Sequence, residues 1–365
     1  MKYKIEDLLE KVIDNRGKTP PTSTTGHMLL EINSLTGDNK YPNYGAVQKI
    51  VSKETYNTWF RSGHPQVGDI LIPTVGTLDA LAYLNRDDCC IAQNIIAFRT
   101  KKEICDGNFL YYLLRDKRTR ARLLNLNIGG VQPSIKVPHL KQLGVEIPDL
   151  KTQKKIVRTL SALDQKIELN NQQNETLFEL GRQLYIEKFE NNQTIDKVEL
   201  GIFFPVITGK KDANASSKNG KYPFFTCSKT ISKIDDYVFD SSAILLAGNG
   251  DFNVKFYRGK FDAYQRTYVL IPNNPEYLGF LYWAISYSLP KITANYRGSV
   301  IKFITKGNIE NFKVPFADNK YIPVFMKYLE KIEKNNQQNE VLAGLRDALL
   351  PKLMSGEINL EKVEI

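Results

Sequence analysis

The ten residues KIELNNQQNE at positions 166–175 return as KIEKNNQQNE at positions 331–340, which is 165 residues further along the chain. Nine identities in ten, within a stretch that has no shorter internal period, indicate that one segment occurs twice. This separation is far longer than the 20–50 residues typical of solenoid repeats. The sequence that precedes the two copies decides whether a whole domain is duplicated.

The residues upstream of both copies are related as well. The offset between matched residues falls steadily towards the C-terminus, from 192 to 174, 172 and finally 165. One duplication followed by length changes in loops explains this trend, so each repeat is a domain followed by a tail. The matched pairs are Gly17-Lys18 with Gly209-Lys210, GDILIPTVG (68–76) with SAILLAGNG (242–250), and Ala92-Gln93-Asn94 with Tyr264-Gln265-Arg266.

Both tails carry an apolar heptad pattern, which is typical of a long helix in a coiled coil. The asparagines of NNQQNE fall at the same heptad positions in both tails. Two similar helices in one chain would pack most simply on each other and antiparallel, although each could instead dock on its own domain. Pro351 is expected to kink the second helix or to end it. The predicted seam consists of Ile156, Leu160, Leu163, Ile167, Asn170, Asn174, Leu177, Phe325, Tyr328, Ile332, Asn335, Asn339 and Leu342.

Composition restricts the class of protein. The 365 residues are 42% hydrophobic and 25% charged, which is normal for a globular protein of two or three domains. The formal charge of +10 favours a polyanionic partner. No stretch is apolar enough for a membrane span, and the N-terminus lacks the apolar run of a signal peptide. The four cysteines lack zinc-site spacing, and free thiols indicate a cytoplasmic protein.

The globular parts read as mixed α+β domains. Short apolar runs predict strands, and residues 109–124 and 277–289 predict helices. From Gly17 to Gly76 is 59 positions, whereas Gly209 to Gly250 is 41, so the first domain carries about 18 extra residues. No catalytic motif is recognisable: the Arg16-Gly17-Lys18-Thr19 segment, for example, lacks the upstream glycine of a P-loop. No metal or cofactor site is predicted in this chain.

Polar and basic residues at matched positions are candidates for contact with DNA. Asn and Gln can pair with adenine through two hydrogen bonds, and Arg can pair with guanine in the same way. Lysines at the start of the long loops, and Arg118 on a predicted basic helix over residues 115–122, could contact phosphates. The alternatives are a solvated helix face and polar groups that satisfy local backbone. The candidates are Lys18, Thr19, Thr74, Gly76, Gln93, Asn94, Arg118, Lys210, Lys211, Asn249, Gly250, Gln265 and Arg266.

With this organisation, the chain resembles the specificity subunit of type I restriction–modification systems over essentially its full length. The order of the motifs and the duplication carry the resemblance together, since no single motif is diagnostic. These motifs are IEDLLEKVIDNRGKTP (5–20), GDILIPTVG (68–76), KIVRTLSALDQKIELNNQQNETL (155–177), GKYPFFTCS (220–228), LLAGNGDF (245–252), KFDAYQRTYVL (260–270) and LRDALLPKLMSGEI (345–358).

The resemblance implies an α+β fold with two target recognition domains, at residues 1–150 and 191–318, related by a pseudo-twofold internal repeat. The first conserved long helix (151–190) would act as a spacer. It would pair antiparallel with the second, which shares residues 319–365 with a C-terminal tail.

The resemblance also implies the partners. Each domain would read one half of a bipartite target in double-stranded DNA. The helices would dock two modification (methyltransferase) subunits, which bind S-adenosylmethionine, and restriction/translocase subunits would use ATP and Mg. The specificity subunit itself would be non-catalytic. The alternatives are an enzyme with unrecognised methyltransferase or nuclease motifs, and a coiled-coil scaffold that does not read DNA.

Overall fold

The computed structural model describes residues 1–36, 39–129, 132–294 and 302–358, and the chain forms two compact units. The first unit consists of Met1–Leu169 and Gln338–Ile365, and the second consists of Asn170–Gln337. Both boundaries between the units fall within long helices, so each unit contains one globular part and one half of each long helix. The end of the predicted C-terminal tail, residues 359–365, lies outside the described residues.

The described ranges contain short helices in the globular parts and two long ones. The long helix α6 continues into a single π-helical turn at Ile186–Glu190. The helices are α1 (Ile32–Leu35), α2 (Lys53–Trp59), α3 (Gly107–Arg115), α4 (Lys117–Leu124), α5 (Val137–Lys141), α6 (Leu150–Tyr185), α7 (Leu278–Ile292), α8 (Lys306–Glu310) and α9 (Ile322–Met354).

Strands of the first unit form a β1–β9 pair, a sheet of order β2-β8-β5-β6 and a sheet of order β4-β3-β7. They are β1 (Lys2–Lys4), β2 (Leu9–Asp14), β3 (His27–Leu30), β4 (Lys49–Val51), β5 (Ile70–Pro73), β6 (Ala82–Tyr83), β7 (Cys89–Ile91), β8 (Ile95–Thr100) and β9 (Gly144–Glu146). All four residues of β5 are buried, because this strand lies inside its sheet and is covered on both faces.

Strands of the second unit form a β10–β17 pair and one sheet of order β11-β16-β14-β15-β12-β13. They are β10 (Lys197–Glu199), β11 (Val206–Thr208), β12 (Tyr222–Phe225), β13 (Ser232–Ile234), β14 (Phe239–Ala247), β15 (Val254–Ala263), β16 (Thr267–Leu270) and β17 (Lys313–Pro315). The last five residues of β14 are buried, and they occupy the place that β5 has in the first unit.

The two units share one strand topology. The order β2-β8-β5-β6 recurs as β11-β16-β14-β15. Strand β3 is parallel to β7 and antiparallel to β4, as β12 is parallel to β15 and antiparallel to β13. The ten-residue β15 replaces both β6 and β7, so the second unit has one sheet where the first has two. The predicted α+β class with an internal repeat is confirmed.

Three helix boundaries differ from the sequence-based expectation. The helix predicted over 109–124 is two helices, because the side chain of Asp116 accepts hydrogen bonds from the amides of Arg118 and Thr119 and caps α4. Helix α7 continues through Pro290 to Ile292. Helix α9 continues through Pro351 to Met354, since Leu350 and Leu353 hold its last turn in the core of the first unit.

The long helices pair antiparallel in each unit taken alone. In the first unit, Asp164 bonds Arg346 at 2.8 Å, and Ile156 and Leu353 line one groove. In the second, Asn174 bonds Asn335 at 2.8 Å, while the rings of Phe189 and Phe325 lie 5.9 Å apart. In both units, the contacting residues have rising numbers on the first long helix and falling numbers on α9, so the two helices run antiparallel.

Candidate nucleic-acid interface

In each unit, a loop that follows a buried strand is hydrogen-bonded to a tight turn that precedes the neighbouring strand of the sheet. The first cluster consists of residues 74–76 after β5, Gln93-Asn94 before β8, and Ser134, which forms a bridge with Val75. The second cluster consists of residues 248–250 after β14, Gln265-Arg266 before β16, and Phe303, which forms a bridge with Asn249. Apart from Ser134 and Phe303, these are the positions that the sequence offsets matched.

The same backbone hydrogen bonds hold both clusters. In the first, the amides of Thr74, Gly76 and Ile135 donate to the carbonyls of Asn94, Pro133 and Thr74 over 2.8, 2.8 and 2.9 Å. In the second, the amides of Gly248, Gly250 and Ile304 donate to the carbonyls of Arg266, Lys302 and Gly248 over 2.8, 2.9 and 3.0 Å. The two scaffolds are therefore alike while their side chains differ.

In the first cluster, the buried part supports a partly exposed turn. The hydroxyl of buried Thr74 donates to the carbonyl of Asn94 over 3.3 Å, so Thr74 supports the turn from beneath. Gly76 has a φ of +81°, which favours glycine. Gln93 and Asn94 are partly exposed.

In the second cluster, the turn is open to solvent and gathers polar groups from two other segments. The Gln265 amide Nε2 donates to Asp212 Oδ1 over 2.8 Å, and its backbone amide donates to the carbonyl of Lys211 over 2.9 Å. Arg266 accepts a hydrogen bond on its carbonyl from the Cys227 thiol. Within the described part of the chain, the guanidinium of Arg266 has neither a hydrogen bond nor an ion pair, so this charge is available to a ligand.

Two residues beside the second cluster were missed from the sequence. Asn253 donates from Nδ2 to the carbonyl of Cys227 over 2.9 Å, and Lys255 donates from Nζ to the carbonyl of Ser228 over 2.7 Å and to Asn253 Oδ1. Burial lowers the pKa of Lys255. Asn253 immediately precedes β15 and Lys255 is its second residue. A spacing of two residues in extended chain points side chains to the same side, and this was the available signal.

The other predicted contact residues are distributed over separate surfaces. Lys18, Thr19 and Lys210 are exposed in loops. Arg118 lies on α4, where it lines a groove with Lys2. The single basic helix predicted over 115–122 was wrong, because Arg115 stays on α3 and donates to the Tyr111 hydroxyl over 2.7 Å. Arg120 on α4 is paired with Asp79.

The helices α6 and α9 carry the predicted seam residues, and all thirteen are buried or partly buried. In the second unit Asn335 donates to Asn174 Oδ1 over 2.8 Å and to Gln173 Oε1 over 2.9 Å. Asn174 donates in turn to Asn336 Oδ1 over 2.8 Å. These amide contacts join the two copies of NNQQNE. The membership of the remaining positions in one continuous seam stays a prediction.

In the first unit a buried ionic cluster lies between the same helices, and the sequence did not predict it. Asp164 and Arg346 have side chains that are each 4% exposed. The Tyr112 hydroxyl also donates to Asp164, and Lys40 donates from Nζ to Ser161 over 3.1 Å. Although burial opposes it, hydrogen bonding to Asp347 and Asp164 raises the pKa of Arg346.

No set of three or more His, Cys, Asp or Glu side chains within the described ranges could hold a metal ion. The helices in these ranges also include none with the length and apolarity that crossing a membrane requires.

Comparison with known proteins gives concordant results. The type I restriction enzyme EcoDI specificity subunit of Escherichia coli is 41% identical over 172 residues, which are 45% of this chain and 38% of that protein. The MjaIX specificity subunit of Methanocaldococcus jannaschii is 25% identical over 308 residues, 70% of each chain. The crystal structure of a type I system S subunit from M. genitalium has the same fold, with a TM-score of 0.55 and 20% identity over 97% of this chain and 95% of that one.

The duplicated fold and these relatives place the chain in the class of two-domain DNA-specificity proteins. The model of the type I restriction modification DNA specificity domain matches it twice, over residues 1–179 and 192–343. Since these matches include most of the chain, the chain belongs to this family, and each of the two ranges matches one DNA specificity domain.

Proposed function

We propose that this chain is the specificity subunit of a type I restriction–modification complex and that its two units read the two halves of a bipartite DNA target. The observation that carries this proposal is the pair of clusters. They share their backbone hydrogen bonds, but one turn carries Gln93-Asn94 and the other Gln265-Arg266. A common scaffold with different base-reading side chains suits two unlike half-sites.

The side chains fit the chemistry of direct readout. Each amide of Gln93 or Asn94 offers a donor and an acceptor, which match the N7 and N6 groups of adenine. The guanidinium of Arg266 offers paired donors for O6 and N7 of guanine. The proposed phosphate contacts are Lys18 and Thr19 in the first unit and Lys210 and Lys211 in the second, with Arg118 as a further cation.

The proposal extends to the assembly. The antiparallel α6–α9 pair would set the distance between the half-sites and dock two modification subunits, which would bring S-adenosylmethionine. Restriction subunits would bring ATP and Mg. In this proposal the chain positions DNA for its partners, is itself non-catalytic and acts in the cytoplasm, which agrees with four cysteines outside disulfides.

Methylome sequencing tests the proposed function. Cells would express the chain with its cognate modification subunit, and a second strain would carry residues 1–150 from a relative with another specificity. We expect one bipartite methylated motif, in which the exchange alters one half and leaves the other unchanged. An unchanged motif would refute base reading by the first unit. Methyl transfer to DNA by the purified chain alone would refute the non-catalytic role.

A further inference from the structure

A groove on the first unit lies between the chain that follows β2 and the turn that follows α2. We call it the Trp59 groove; the residues that matter for its chemistry are Asp14, Arg16, Gly17, Lys18, Trp59 and Arg61. Its two walls are fastened together. The Asn15 amide donates to the carbonyl of Gly63 over 2.9 Å and accepts from the Ser62 amide over 2.8 Å, and the Ser62 hydroxyl donates to the carbonyl of Asp14.

The charge of the groove is positive and only partly neutralised. Arg16 forms a two-pronged pair with Asp14, with Nε–Oδ1 at 2.8 Å and Nη2–Oδ2 at 2.7 Å. Lys18 and Arg61 are exposed, and among the residues that the structure describes neither side chain has a hydrogen bond or an ion pair. Two unpaired cations thus line the same concave surface as an aromatic ring.

The aromatic ring and the backbone are both accessible. Trp59 is 37% exposed, whereas the second tryptophan, Trp283, is 1% exposed. Gly17 has a φ of +138°, and a Cβ placed there would meet no atom within 4 Å. The conformation therefore requires glycine although space does not, and a ligand can approach the main chain closely at this point.

The second unit lacks a counterpart of helix α2 in its described residues. Strand β13 is followed by β14 after only the four residues 235–238, so α2 has no counterpart. The matched Gly209 is packed tightly, since its Cβ would lie 1.8 Å from the carbonyl oxygen of Ala263. Part of the extra length of the first unit therefore builds a surface that base-reading clusters do not explain.

We propose that the Trp59 groove binds a phosphodiester group of the DNA strand that flanks the half-site of the first unit. Lys18 and Arg61 neutralise the phosphate, and the indole of Trp59 packs on the adjoining sugar or base. This inference rests on the proposed function. It adds a contact that does not depend on base sequence and that belongs to one half of the target alone.

The salt dependence of DNA binding tests the two cations. The full chain, the Lys18→Ala/Arg61→Ala variant and a Lys102→Ala/Lys154→Ala control would be titrated with a mixed-sequence duplex. The control removes the same charge from exposed positions of the same unit. Loss of two phosphate contacts should reduce the magnitude of the slope of log K against log salt concentration by about 1.8. The ratio of the DNA affinity of the wild type to that of the variant should therefore fall about 12-fold between 50 and 200 mM salt. The control should keep the wild-type slope.

Acrylamide quenching of tryptophan fluorescence tests the ring. Trp59 is the accessible tryptophan and buried Trp283 serves as an internal reference. We expect DNA to protect Trp59 in the wild type, and Trp59→Phe to remove the quenchable component. DNA binding with an unchanged slope and an unprotected Trp59 would overturn the inference and leave the proposed function intact. Protection by the modification subunit without DNA would overturn it in favour of a protein contact. Failure of the wild type to bind DNA would refute the proposed function itself.

Discussion

Removal of either member of the Asp164–Arg346 pair should destabilise the first unit strongly. The two side chains form a hydrogen-bonded ion pair at 2.8 Å and are each 4% exposed. A buried charge that loses its partner costs about 3–5 kcal/mol, whereas replacement of both charges by apolar residues of similar volume is often neutral. The structure ranks the two single variants within that range.

The loss of stability caused by Arg346→Met should lie near the lower limit of this range, about 3 kcal/mol. Asp164 would keep the hydrogen bond from the Tyr112 hydroxyl, and Lys40 would remain near as a positive charge. Asp164→Leu should lie near the upper limit, about 5 kcal/mol. It removes the carboxylate to which the Tyr112 hydroxyl donates. The buried Arg346 would also lose its buried counter-charge, since Asp347 is largely exposed.

Hydrogen exchange of the full chain measures this locally, because each unit gives separate peptides. Peptides from α3 should exchange roughly 100- to 4,000-fold faster in the single variants, which corresponds to 3–5 kcal/mol at tenfold per 1.4 kcal/mol. Strands β14 and β16 of the second unit serve as the internal reference. The Asp164→Leu/Arg346→Met double variant should be more stable than Asp164→Leu alone. Single-variant losses below about 1 kcal/mol, or a double variant worse than the sum of both, would refute the reasoning.

Lys40, Arg266 and Gly209 give three further expected outcomes. Burial lowers the pKa of Lys40 to about 8 from 10.5, so the unfolded chain binds more protons between these pH values and the free energy of unfolding rises with pH across that window. Lys40→Met should abolish this rise in urea titrations, and an unchanged dependence on pH would contradict the reasoning. Arg266→Ala should relax one base position by about 1–3 kcal/mol in competition binding, whereas a uniform loss would indicate a phosphate contact. Gly209→Ala should destabilise the second unit by about 1–3 kcal/mol in the same urea assay. Gly344→Ala is the control: its Cβ would meet nothing within 4 Å, so it should stabilise helix α9 by about 0.5–1 kcal/mol. Equal changes in stability for the two variants would exclude a steric origin of the Gly209 effect.

The sequence predicted what repetition and periodicity encode. The offset of 172 residues between Asn94 and Arg266 returns in the structure as equivalent carbonyls that accept from Thr74 and Gly248. The Asp164–Arg346 pair was not predictable in this way, because a pattern of apolar residues contains no information on which polar residues meet across a sequence separation of 182 positions. The break at Asp116 was missed for a related reason: a capping side chain interrupts a helix without altering its apolar spacing.

Different polar contacts join α6 and α9 in the two units, and this difference affects the register of the helix pair. In the second unit, neutral amides of Asn174 and Asn335 bond across the pair. In the first, the charges of Asp164 and Arg346 meet at the corresponding interface. Polar groups inside a helix interface penalise every register that leaves them unpaired. A shift of α9 along α6 would leave a charge unpaired in one unit and amides unpaired in the other. The predicted apolar heptads alone would tolerate a shift by whole heptads, so we expect the register of the pair to depend on these unlike polar contacts.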